Sequence, residues 1–373
     1  MSMYIMRINS YKLILYIYLI LLFIPLFGVN IFDYNPIIDG VFLVIILVHI
    51  RLKTINVFII LFFLLLFYII FLSNTSSGPL YAVFTIIKLL IPILLIYKSK
   101  VINFQILELF YLVAKLFIFS NILLAILNLS QLNIDGFRFF GTINNVNLTT
   151  NLTIIFIIYI IEYNYSVKNK ENLSFILMYF LIFLFFMLVT GTRSGILALL
   201  YFFYVLHRTT KNRKSYYILL LPTFLLIFFV FYSTWPLIQE KLRLSTGNDS
   251  LITRYLIYEY FWLSLIDNYF LIPFGIHAHK HIMAVNFNNY PVHNDYLEYV
   301  YNLGFLFLAY LGYIIYIIKK SSGVLTLCFS IILLIIVSSF ALHNELLSVF
   351  IWIPLSFILY IKKYPLNNNH ANN

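Results

Sequence analysis

Long apolar runs alternate with short polar breaks along almost the whole chain. A helix needs about 20 mostly apolar residues to cross a hydrocarbon core. On that measure twelve runs read as spans: 12–29, 36–50, 55–72, 79–97, 104–129, 146–163, 173–189, 194–207, 216–233, 294–318, 323–341 and 346–361. The second and eighth are short, so the pattern allows 10–12. The expected fold is all-α and polytopic: a single integral membrane domain over residues 1–373, with about 12 transmembrane helices. The first run follows a basic leader (Arg7, Lys12) and has no A-x-A-type cleavage site, so it reads as an uncleaved span rather than a signal peptide.

Two of the polar breaks are long. One covers about 130–145 and contains QLNIDGFRFFGTINN; the other covers 234–293, between spans nine and ten. Loops beyond about 15 residues are usually functional or disordered, and the second is neither low-complexity nor strongly charged. Within it, 251–268 (LITRYLIYEYFWLSLIDN) has helical character. On a 3.6-residue wheel Ser250, Thr253, Arg254, Ser264 and Asn268 form a narrow polar strip on an otherwise apolar cylinder. Such an amphipathic helix lies against the bundle or in the membrane interface. No internal repeat stands out, and the tail NNNHANN carries no motif.

Composition sharpens this picture. Apolar residues make up 63% of the 373 and charged residues 10%, against roughly 45–50% and 25% in soluble domains. Aromatics reach 20%, and the mean hydropathy is +0.97. A soluble globular domain and a disordered chain are both excluded. The net charge of +11 would point to nucleic acid in a soluble protein. Here it follows membrane sidedness instead. With the N-terminus inside, cytoplasmic segments receive Arg7, Lys12, Arg51, Lys53, Lys98, Lys100, Lys168, Lys170, Arg208, Lys211, Arg213, Lys214, Lys319, Lys320, Lys362 and Lys363. These are sixteen of the 24 cations, as the positive-inside rule requires. Lys88 and Lys115 fall inside spans, and only Arg138, Arg193, Lys241, Arg243, Arg254 and Lys280 are left outside. Both termini are therefore expected in the cytoplasm, and no nucleic-acid partner is needed. Cys328 is the only cysteine, so one chain offers neither a disulfide nor a zinc motif.

The cations on the disfavoured side are the informative ones. Arg193 lies in GTRSG, where Gly191 and Gly195 permit a tight turn and Ser194 can cap the next helix. A guanidinium beside helix N-terminal amides suits an anion, and a hairpin turn whose arginine snorkels to headgroups answers to the same pattern. Arg254 sits on the loop helix's polar strip and Arg138 in GFRFFG. Arginine recognises phosphate in a bidentate manner, and a lipid-linked diphosphate is the anion found at this depth. His293 opens HNDYLEYVYNLG, in which Asn294 or Asp295 serves as N-cap. Asn294, Glu298, Tyr301 and Asn302 share one face there, and polar groups inside a span face the bundle interior or a wet cavity. A histidine in that place is suited to general-base work on a hydroxyl, although on the residues alone a helix cap beside an interfacial histidine is the favoured account. His277, His279 and His281 (HAHKH) alternate as on a strand, but with no Cys or paired carboxylate nearby a solvated loop outweighs a metal site. Lys88, Glu108 and Lys115 fit a transport relay or, more simply, an ion pair between helices. Walker, GxSxG, HExxH, dinucleotide and Asp-x-Asp signatures are all missing from the sequence.

In their order, GFRFFGTINNVN, GTRSG, RYLIYEYFWLSLIDNYFLIPFG and HNDYLEYVYNLGFL resemble the O-antigen ligase/polymerase superfamily of bacterial envelope enzymes, over about residues 135–315. The first third of the chain matches in hydropathy only. The resemblance implies a polytopic helical bundle related to the GT-C glycosyltransferases, with a large periplasmic loop and an active site facing the periplasm of a bacterial inner membrane. It implies a glycan on undecaprenyl diphosphate as donor and needs no metal, nucleotide sugar or other cofactor. The arginines that hold the diphosphate match Arg193 and Arg254, and the histidine that activates the acceptor hydroxyl matches His293. Arg138 and Asn147 match the loop before the central span, and Arg243, Asn294 and Glu298 complete the expected substrate contacts. The pattern departs after Gly275, where His277 stands in place of a second glycine.

The expected activity is that of a Wzy-type O-antigen polymerase, joining one lipid-linked repeat unit to another, with a flippase and a chain-length regulator as further partners. A ligase that moves the glycan to lipid A core shares these motifs. A flippase or transporter fits the span count, but its polar groups should gather near the midplane.

Overall fold

A computed structural model describes residues 27, 104–128, 139, 141–142, 146–166, 172–190, 202, 205, 249–268, 274–275, 278–288, 292, 294–312 and 316. Among these residues the chain is all-helical, with no strand. Six helices follow in order: α1 (Phe104–Leu127), α2 (Val146–Ser166), α3 (Leu173–Thr190), α4 (Asp249–Asp267), α5 (Ala278–Asn286) and α6 (Asp295–Leu303). A further helical segment covers 305–312. The first three coincide, within a few residues, with the runs at 104–129, 146–163 and 173–189. The remaining nine runs lie wholly outside the described residues or are touched only at scattered positions, apart from the tenth.

Helices α1 to α3 form an up-down-up unit. Tyr111, early in α1, bonds to Asn164, late in α2, with Tyr111 Oη donating to Oδ1 at 3.3 Å. Thr150, early in α2, donates to Thr190 Oγ1 at the end of α3, at 2.9 Å. Both pairs require antiparallel neighbours. Between them an aromatic ladder fills the α1–α2 contact: Phe110 meets Phe156 and Tyr159 edge-on at 5.5 and 4.7 Å, and Phe117 meets Phe156 at 5.1 Å. Such edge-to-face pairs add about 0.5–1.5 kcal/mol each beyond their buried area. Phe202 closes the far side of α3, with its ring 5.2 Å from both Phe180 and Phe183.

The three helices differ in how they are covered. Residues 151–164 of α2 are buried without interruption, as expected of a helix apolar on all sides. In α1, burial recurs at Phe110, Ala114, Phe117, Asn121 and Ala125, a 3.6-residue stripe that the uniformly apolar sequence does not mark. The opposite side of α1 exposes Leu112, Leu116, Phe119, Leu123 and Leu127. One helix among the described residues, Glu108–Leu127, is long and apolar enough to cross a membrane, and Leu173–Met187 is a shorter apolar helix.

In the second group, α4 and α5 pack on α6. Ile257, Phe261 and Leu265 of α4, Met283 of α5, and Val292 and Tyr301 form one buried cluster. The tenth apolar run, expected as a continuous helix over 294–318, is broken at Gly304. There the backbone turns left-handed (φ 56°) and caps α6, with Gly304 N–H bonded to Val300 O at 2.8 Å. The break frees the carbonyls of Tyr301 and Asn302, which accept instead from Phe274 N–H at 3.3 Å and Gly275 N–H at 3.1 Å. Helix-end carbonyls need such partners. The PFG segment is thereby tied to the end of α6, and the Phe274 ring stacks on Tyr301 at 4.1 Å.

Candidate functional site

Polar groups gather at one end of the α1–α3 unit, where α1 and α3 end and α2 begins. Asn121, fully buried on α1, reaches across to the GTIN turn. Its Oδ1 accepts Thr142 N–H at 2.9 Å, and its Nδ2 donates to Thr142 Oγ1 at 3.1 Å and to Phe117 O at 2.9 Å. Gly141 holds φ +73°, a conformation that L side chains rarely adopt. A Cβ there would come within 2.5 Å of Thr149 Cγ2 and 2.6 Å of Asn121 Oδ1. The turn therefore needs glycine both for its backbone and for its space.

The adjoining segment is strapped to α3, since Phe139 N–H bonds to Val189 O at 3.0 Å. The start of α2 follows with Thr149, Thr150, Asn151 and Thr153, all buried. Thr153 and Thr190 return their hydroxyls to carbonyls one turn earlier, at 2.7 Å to Thr149 O and 2.6 Å to Phe186 O. Helical hydroxyls are satisfied this way where water is scarce.

Helix α4 carries Arg254. Thr253, Arg254, Ser264 and Asn268 of the expected polar strip are all half-buried and lie on the same side as the buried Ile257, Phe261 and Leu265. The outward side bears Tyr255 (65% exposed), Leu256, Tyr260, Trp262 (54%), Leu263 and Ile266, together with exposed Glu259 and Asp267. Apart from Glu259 and Asp267, this helix turns its polar strip in and most of its large apolar residues out, the reverse of a helix on a water-soluble core. Arg254 Nε is buried and has no hydrogen-bond partner among the described residues. A buried charged donor left in that state is costly, and an anion's oxygen is the group that would satisfy it.

Helix α6 begins where the sequence reading put it. Asn294 is the N-cap, its Oδ1 accepting Leu297 N–H at 3.1 Å. A side-chain cap of this kind is worth about 1 kcal/mol. Glu298 and Asn302, one turn apart on α6, are both buried and meet His279 of α5. His279 Nε2 lies 3.2 Å from Glu298 Oε1, an ion-pair contact off the axis of the ring N–H. Asn302 meets His279 Nδ1 with Nδ2 at 2.9 Å and Oδ1 at 3.1 Å, and that Oδ1 also accepts His279 N–H at 3.3 Å. The sequence reading of HAHKH as a solvated loop is overturned here: residues 278–286 are helical and His279 is 1% exposed. The alternating histidines obscured a helical stripe of Ala278, His279, Ile282 and Met283 that packs on α6.

Of the expected site residues, Arg254, Asn294 and Glu298 are described, and Asn147 is described in backbone only, within the first turn of α2. Arg138, Arg193, Arg243 and His293 lie outside the described residues, as does His277. Two junctions link their neighbours. Phe139, next to Arg138, bonds to Val189, four residues before Arg193. Val292, next to His293, is buried in one cluster with Ile257, a turn after Arg254. Sequence reasoning missed Asn121, Thr150, Thr190 and the pairing of His279 with Asn302. Their signal was there as polar residues inside apolar runs, but their partners lie 21 and 40 residues away and, for His279 and Asn302, 23 residues away.

No protein-family profile, curated protein or solved structure matches this chain.

Proposed function

We propose that the chain is a multi-pass inner-membrane glycan polymerase of the O-antigen type, with about twelve spans and both termini cytoplasmic. It transfers a glycan from undecaprenyl diphosphate to a sugar hydroxyl of a second lipid-linked repeat unit at the periplasmic face. Arg254, with Arg193, holds the diphosphate and stabilises the charge that develops as it leaves. His293 takes the proton of the attacking hydroxyl, and Arg138 contributes to holding the substrate.

One observation carries this reading. Arg254 has a buried Nε on the inward side of α4 with no partner among the described residues, and the apolar cluster beneath it includes Val292, the residue preceding His293. The helix that carries Arg254 and the residue before His293 thus share one core, which supports a common role for the two. Further support comes from the outward apolar faces of α1 and α4, which suit lipid rather than water. The polar framework lies at the helix ends that the charge distribution would assign to the periplasm, and a transport site would instead favour mid-helix positions.

Deletion of the chromosomal copy, followed by inspection of the surface polysaccharide, tests the proposal. Single repeat units on lipid A core are the expected result. Long chains left on undecaprenyl diphosphate would make the chain a ligase instead, and unchanged polysaccharide would overturn both readings.

A further inference from the structure

Helix α5 is only nine residues long and buries two of them, His279 and Met283, one turn apart. Glu298 and Asn302 are likewise one turn apart on α6. An imidazole has a nitrogen on each side of its ring, so a single histidine can engage two residues stacked along a helix. His279 does this, with Nδ1 at 2.9 Å from Asn302 Nδ2 and Nε2 at 3.2 Å from Glu298 Oε1. The backbone N–H of His279 also reaches Asn302 Oδ1, at 3.3 Å, so Asn302 meets both the main chain and the ring of His279. In the tautomer that carries its proton on Nε2, that proton lies on the Glu298 side of the ring. A carboxylate buried to 5% exposure requires a partner of this kind.

The contact is more than a fastening of α5. Glu298 lies in the first turn and a half of α6, and the Asn294 cap that opens this helix adjoins His293. Phe274 and Gly275, just before α5, bind the carbonyls at the other end of α6. The PFG–α5 segment therefore grips α6 at its end through the backbone and along its length through one imidazole. Rotation of α6 about its axis would carry its N-cap Asn294, the residue after His293 in the chain, with it, and the imidazole is the part of the grip placed to resist rotation.

We propose that His279 is a positioning residue of the transfer site: through Glu298 and Asn302 it sets the rotation of α6 and so the place from which His293 acts. This rests on the reading of the chain as a glycan polymerase. His279 is 1% exposed and touches no substrate; its effect is on the transfer step rather than on donor affinity.

The test uses the full chain in lipid nanodiscs, with lipid-linked repeat units extracted from cells lacking it as substrate. His279→Ala should lower kcat roughly 30-fold, the scale of an ångström-level misplacement. Donor KM should stay within about twofold, because binding is not what is lost. His279→Gln keeps an amide N–H directed at Glu298 and should recover most of the rate, whereas His279→Asn, whose amide reaches only the Asn302 side, should not. The double variant His279→Ala/Glu298→Gln should be no slower than His279→Ala. Wild-type kcat in His279→Ala, equal rates for the Gln and Asn variants, or additive losses in the double variant would overturn the proposal. Where His279→Ala gives no folded protein, the Gln and Asn comparison decides. A wild-type chain that forms no polymer overturns the polymerase reading itself; an active wild type indifferent to residue 279 overturns the positioning role alone.

Discussion

Replacing Gly141 with alanine strikes the turn that leads into α2 in two ways. The backbone there sits at φ +73°, and holding a non-glycine L-residue in that region costs roughly 1–2 kcal/mol. The new Cβ would also stand 2.5 Å from Thr149 Cγ2 and 2.6 Å from Asn121 Oδ1. Thr149 is in a buried helix and Asn121 is fully buried, so neither has free space to move into. If Asn121 yields, it loses the acceptor contact to Thr142 N–H (2.9 Å) and the donor contact to Thr142 Oγ1 (3.1 Å). Leaving buried groups unsatisfied adds about 1–3 kcal/mol. The expected destabilisation is therefore about 2–5 kcal/mol. Thermal unfolding of the purified chain in nanodiscs, compared with Asn121→Ala and with the double variant, gives the measurement. Because both single changes break the same clamp, the double variant should fall well short of their sum. A Gly141→Ala chain within about 0.5 kcal/mol of wild type, the range of an unconstrained surface change, would refute both the steric and the hydrogen-bond reasoning.

Other positions give independent checks. Phe110→Ala removes two edge-to-face contacts and a fully buried ring; a loss of about 3–5 kcal/mol is expected in the same unfolding assay. Asn294→Ala removes the cap of α6 and should cost about 1 kcal/mol, with faster amide exchange at Leu297 as its local signature. Arg254→Met should abolish polymer while leaving the unfolding midpoint at or above that of wild type, since it deletes a buried unsatisfied donor; polymer of normal length would remove Arg254 from the site. Lys115→Met should leave polymer length unchanged, because Lys115 is exposed and lies over the Tyr111 ring, 4.5 Å from its centroid, rather than in an interior relay. Loss of polymer in a folded Lys115→Met chain would favour a transport role.

The helices that hydropathy could mark were legible, and those defined by partners were not. α1, α2 and α3 stood out as apolar runs, and α4 as a helix with a polar strip. α5 was hidden because HAHKH places a histidine or lysine at four of five positions, and its burial depends on Glu298 and Asn302 about two turns of helix and a loop further along the chain. The break at Gly304 was hidden for a related reason. Apolar residues continue on both sides of it, while the carbonyls left over at the end of α6 are taken up by Phe274 and Gly275, about 30 residues earlier. Of the site, the N-cap role of Asn294 could be read locally, since capping involves only the next three residues. The pairing of Glu298 with a histidine on another helix could not.

Burial on α1 and α4 shows what a hydropathy profile leaves undetermined. In water the apolar side of a helix turns inward, and an amphipathic pattern therefore predicts orientation. In α1 both sides are apolar, and only packing against α2 decides that Phe117 is buried and Phe119 exposed. In α4 the strip with Arg254 lies beside the core stripe, while Tyr255, Trp262 and Leu263 face outward. Where lipid covers the outer apolar face, that face loses nothing, and turning the polar strip inward keeps it out of the hydrocarbon. The same reversal makes an inward arginine useful. Its Nε, buried between the outer apolar surface and the packed core, is shielded from water, where attraction for an anion is weakest. The orientation of α4 thus connects the excess of apolar residues in the composition with the one described cation on which the proposed chemistry depends.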